Sequence, residues 1–173
     1  MFGGWHEFYG LLGTAASTLV ALLFVAVSVG VGILTTERAG PTRLYVSPII
    51  LHYASVLFIS LIVLIPTLSD RVLGATIGLC GAVGLIGSVV ITVRLFRDSK
   101  AEVVDRFAYG AWPFVAYAGV ATVGVLIMRS SQRAPIILAA SLLLLLLVNI
   151  RNAWDLTITF ARRHGDNAHP PNH

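Results

Sequence analysis

The sequence predicts an all-α integral membrane protein, a bundle of five transmembrane helices with its N-terminus outside and its C-terminus in the cytoplasm. Three observations carry that expectation. Of 173 residues, 57% are hydrophobic and 12% charged, with mean hydropathy +0.86, whereas soluble domains run at about 45–50% apolar and 25% charged. So few charges cannot cover a water-soluble core. Charge is absent from five stretches, 8–36, 44–69, 72–93, 107–128 and 134–150. The Lys and Arg residues between them divide nine to three between the two faces of a five-span chain.

Each stretch is read as a helix because lipid gives the backbone no hydrogen-bond partner, and the alternating strands of a membrane barrel are absent. The first four hold 29, 26, 22 and 22 residues, at or above the ~20 needed to cross about 30 Å of hydrocarbon. They predict spans over 8–36, 45–67, 72–93 and 107–128. The first is not a secretory signal, since 1–9 carries no Lys or Arg and the apolar run is too long; it is expected to remain in the mature chain. The fifth stretch holds only 17 residues, but apolar residues resume at Ala153, Trp154, Leu156, Ile158 and Phe160. An arginine near a helix end extends its head to the interface, so one helix is expected over 135–160. Pro48, Pro66 and Pro113 are expected at a first turn, a helix exit and a kink respectively.

Residues 1–160 thus form a single bundle, and no soluble domain fits in what remains. The link 94–106 alternates in sign and reads as a solvated charged turn along the headgroups. Residues 161–173, polar and carrying two prolines, are expected to be a disordered cytoplasmic tail. Its His164, His169 and His173 lack the Cys or paired carboxylates of a strong metal site, and no metal or cofactor is expected.

Orientation follows from the positive-inside rule. One face receives Arg38, Arg43, Arg94, Arg97, Lys100, Arg106, Arg151, Arg162 and Arg163, and the other Arg71, Arg129 and Arg133. Net charge +4 and pI near 9.7 do not indicate nucleic acid here, because the basic residues sit at span ends, where they meet anionic lipid. Eleven Arg against one Lys, with abundant Ala and Gly, suggest a GC-rich bacterial genome. The single cysteine, Cys80, excludes a disulfide framework and a Cys-based metal site within one chain.

Three constellations stand out. In the third span Gly74, Gly78, Gly81 and Ser88 fall within roughly 80° of one another, a flat seam that lets a second helix approach. That helix is either another span of the same chain, the ordinary reading, or a second copy. A smaller set, Gly10, Gly13, Ser17 and Ala21, marks the first span. Next, His52 lies about 10 Å inside the second span from Tyr45, and polar groups at such depth need partners. Ser28, Ser88, Asn149 and the 109–112 turn fall at a similar level. They predict a buried polar layer in which His52 bonds to Asn149 or Ser28, acting as glue between helices or, alternatively, as a proton or ion path. Finally, Arg151 and Asp155 stand one turn apart on the last helix and, with Trp154, predict an interfacial anchor.

Enzyme signatures are missing. His6-Glu7 is not followed by the second His of HExxH, no GxSxG turn occurs, and no pair of intramembrane carboxylates is present. Thr122-Val123-Gly124 begins like a potassium filter, but Val125 replaces the Tyr and no pore helix precedes it.

The opening FYGLLGTAASTLVALLFVAVSVG and the closing LLLVNIRNAWDLTITF resemble a family of small uncharacterised bacterial inner-membrane proteins with an LLFVAVS first helix and an RNAWDL segment near the C-terminus. Some relatives are labelled modulators of the FtsH protease. The resemblance covers about the first 35 and last 20 residues, and the middle in hydropathy only; it implies no catalytic residues. Two functions remain in view. One is a non-catalytic bundle that binds or regulates a membrane partner, or itself, among the lipids. The other is a small oligomeric channel or transporter running through the layer around His52.

Overall fold

The computed structural model describes residues 2–31, 39–97 and 110–168; within them the chain is helical apart from its turns, and no strand occurs. A 3-10 turn, Gly3–Trp5, leads into α1 (His6–Val31), α2 (Ala39–Val63), α3 (Asp70–Arg97), α4 (Trp112–Met128) and α5 (Ala134–Ala168). Among the described residues three segments are long and apolar enough to cross a membrane, Gly3–Ala26, Asp70–Val93 and Ala134–Asp155; Pro48–Val63 and Trp112–Met128 are shorter apolar helices. The outward surface carries large apolar side chains such as Leu11, Leu22, Leu79, Ile86 and Leu147, each more than half exposed. Water does not tolerate such a surface, and lipid does.

Helix boundaries depart from the expected spans at the prolines. Because α2 starts at Ala39, Pro48 stands inside the helix and not in its first turn. There it forfeits one backbone hydrogen bond. The helix stops at Val63, short of 67. The Leu64 and Ile65 amides tighten onto Leu61 and Ile62 carbonyls at 3.1 Å each, and Pro66 follows. Pro113, expected at a kink, sits instead in the first turn of α4, where its missing N–H has no intrahelical acceptor to lose. The tail expected to be disordered from 161 is helical to Ala168. Extending a formed helix adds a bond per residue without a new nucleus, and Ala161, Arg162 and Arg163 favour it. Much of the 94–106 link and residues 169–173 lie outside the described residues.

α5 is the axis of the bundle. Half of its apolar window is buried, against 28% for α1 and 22% for α3. Its buried stripe runs Ala134, Leu138, Leu142, Leu145, Asn149 and Asn152, the 3- and 4-residue steps of one helix face. α5 packs on α4, α2 and α1; α1 lies along α2; and α3 packs chiefly on α4. The α4–α5 turn is short because α4 ends in a Schellman motif. The Ser131 amide reaches the Leu126 carbonyl and the Ser130 amide the Ile127 carbonyl, both at 2.9 Å, with Ser130 in the left-handed region at φ 52°. Only a residue turned this way lets the chain satisfy those carbonyls and reverse at once.

The α3–α4 contact is backbone on backbone. A Cβ at Gly124 would stand 2.5 Å from Gly78 Cα and 2.7 Å from the Gly74 carbonyl oxygen, and one at Gly81 2.6 Å from Ala121 Cα. Gly74, Gly78 and Gly81 therefore face α4 of the same chain. Gly84, outside the expected seam, receives the ring of Tyr117, while Ser88 is buried and bonds to its own helix. In α1 only Gly13 of the small set meets another helix, at Ser60 and Leu57; Gly10 has open space, and Ser17 and Ala21 are exposed.

Candidate functional site

His52 arrives on the buried stripe of α2 with Ile49, Val56 and Ile59. It lies opposite Tyr117, which α4 carries between Ala116 and Val120 on its own buried face. Gly84 on α3 leaves the room that the phenol ring fills. The two rings lie 5.4 Å apart, and His52 Nδ1 is 2.8 Å from Tyr117 Oη. Tyr117 Oη is in turn 3.1 Å from Ser55 Oγ, and Ser55 Oγ is 2.8 Å from the Leu51 carbonyl oxygen.

The direction of this relay follows from counting hydrogens. A carbonyl only accepts, so Ser55 spends its one hydrogen on Leu51; Tyr117 then donates to Ser55, and the proton on the imidazole lies on Nδ1, which donates to Tyr117. Two hydroxyls each donate and accept, and the chain ends on backbone. The His52–Tyr117 bond is buried and the Ser55 end is partly exposed, and the network ties α2 to α4 in one register.

The structure corrects the expected layer. His52 bonds to Tyr117, not to Asn149 or Ser28. Ser28 is exposed, because it lies about 140° around α1 from the buried Leu23 at 100° per residue. Ser88 donates to the Gly84 carbonyl at 2.9 Å. Asn149 is fully buried, and neither atom of its amide has a partner; Tyr53 Oη and Ser60 Oγ are likewise buried and unpartnered. Trp112 is exposed, and Tyr109 lies outside the described residues.

Three residues the sequence reading passed over matter here. Tyr117 and Ser55 complete the relay. Tyr9 donates to the Pro135 carbonyl at 2.7 Å, pinning the start of α1 to the start of α5, and packs edge-on against Phe2 and Phe8 at 5.9 and 5.3 Å. A tyrosine inside an apolar run was the available signal, since a buried phenol hydroxyl calls for a partner.

Near the other end of the apolar part of α5, Arg151 and Asp155 approach to 3.5 Å with both side chains nearly half exposed, and Trp154 is 65% exposed. Glu7, Asp70, Arg71, Arg129, Arg133 and Arg151 are exposed and Asp155 is half-buried, and among the described residues no group of three His, Cys, Asp or Glu is arranged to hold a metal. No protein family, curated protein or solved structure matches the chain.

Proposed function

We propose that this is a non-catalytic, five-span protein of the bacterial inner membrane, N-terminus outside and C-terminus cytoplasmic, that binds or regulates another membrane protein. The observation that carries the reading is the relay from His52 through Tyr117 and Ser55 that ends on the Leu51 carbonyl of the same helix. A conduit needs a group that passes a proton or ion onward, and this chain of bonds terminates on backbone. The His52 network then serves to fix helix register, leaving the outer faces for contact with a partner.

The partner class is taken from the resemblance of the first and last helices to proteins labelled modulators of the FtsH protease. In this reading the bundle sits beside such a protease in the membrane and alters its access to substrates.

Solubilisation in mild detergent followed by mass analysis of the intact particle tests the proposal. The expected result is a complex with an FtsH-type protease whose membrane substrates turn over at a changed rate when this chain is deleted. Ion or proton flux through liposomes containing the pure protein, abolished by His52→Ala, would overturn it in favour of a channel.

A further inference from the structure

A groove of about 530 Å³ opens between α1 and α5, within the roughly 300–1,000 Å³ of small-ligand sites. Its walls are apolar, with Leu22, Leu23 and Ala26 on α1 and Leu147 and Ile150 on α5. From Leu147 to Trp154 it covers about 10 Å of helix at 1.5 Å per residue.

Polar groups are few and specific. Tyr53 of α2 lines the groove, is only 1% exposed, and its hydroxyl has no partner. A phenol hydroxyl buried among apolar walls and left unsatisfied is unfavourable, and an acceptor brought in by a ligand would relieve it. Arg151 and Trp154 line the same groove, the pair of side chains that favours headgroup depth. Asp155 pairs with Arg151 at 3.5 Å. The remaining guanidinium N–H groups are suited to a phosphate.

We propose that this groove is a lipid site: one acyl chain of a phosphatidylethanolamine-type glycerophospholipid lies between α1 and α5, an ester carbonyl accepts from Tyr53, and the phosphate meets Arg151. A zwitterionic headgroup complements an Arg–Asp pair better than an anionic one, its phosphate facing the guanidinium and its primary ammonium, which unlike choline has N–H groups to donate, lying toward the carboxylate. The inference rests on the membrane embedding proposed above. It adds a specific lipid between the first helix and the last.

The test uses Trp154 as reporter. The full chain carrying Trp5→Phe and Trp112→Phe is placed in phosphatidylcholine vesicles, and phosphatidylethanolamine with brominated chains is titrated in at low mole fraction. Quenching above that of equally brominated phosphatidylcholine is expected. Arg151→Gln should weaken it about tenfold, the loss of roughly one charge-assisted hydrogen bond. Tyr53→Phe should reduce the excess, and Ala26→Leu, which fills the groove, should abolish it, with helical content and Tm preserved in each. Equal quenching by the two lipids, equal quenching by a brominated free fatty acid, or an excess that survives Ala26→Leu would each overturn the proposal. If the reporter chain fails to fold, native mass analysis of the wild-type protein decides: retained phosphatidylethanolamine supports the site, and its complete exchange for detergent overturns it. Release of the protein from membranes by alkaline carbonate would instead overturn the membrane embedding.

Discussion

Tyr117 sits where three helices meet, its ring over Gly84 and its hydroxyl between His52 and Ser55. Tyr117→Phe keeps the ring and removes the acceptor that satisfies His52 Nδ1–H. It should destabilise the protein by about 1 kcal/mol, between the mean worth of an interhelical bond in a membrane and the cost of an unmet buried donor. Unfolding in mixed micelles measures this, and a change within error would show the relay to be incidental. Ser130 supplies a second case, an L-residue held at φ 52°. Ser130→Gly should raise stability by about 1 kcal/mol, since glycine meets no Cβ penalty in the left-handed region; a lower Tm would contradict that. His52 and Asn149 were legible as needing burial because each lies at depth in an uncharged span, where a polar group is costly. Their partners were not legible, because a bond between residues 65 apart leaves no trace in spacing.

Among the helices, the α3–α4 contact depends on missing side chains. Gly124→Leu should force α3 off α4 and cost at least the ~1–3 kcal/mol of an overpacked core, read as a fall in Tm, whereas Gly10→Ala, with nothing within 4 Å of the new methyl, should change little. Equal effects from both would mean the glycines act through backbone flexibility and not through close approach. The seam Gly74, Gly78, Gly81 was visible in α3 from its period, but Gly124 and Gly84 were not, since one helix's pattern does not say which surface faces it. The three prolines show the same gap. Their fixed φ and absent N–H mark a disturbance, and only the true helix starts at Ala39 and Trp112 show which kind. The Arg151–Asp155 pair is nearly half exposed, so Asp155→Asn should shift stability by no more than about 0.5 kcal/mol.

Across the whole bundle, the testable quantity is topology. Under the proposed five-span arrangement, reporter fusions after residues 36, 100 and 163 should read cytoplasmic and fusions after 1, 69 and 131 external, the side with nine basic residues facing inward. Termini sharing a compartment would remove the five-span arrangement.

Composition and charge spacing alone led to apolar helices, because a chain that excludes charge over twenty residues has no solvent but lipid, and lipid forces its backbone to bond within itself. Which faces meet was left to tertiary structure. Helices that are apolar nearly all round carry little polarity to orient them, so the fit of Gly124 against Gly78, of Tyr117 against Gly84, and the need of one imidazole proton for an acceptor decide the packing.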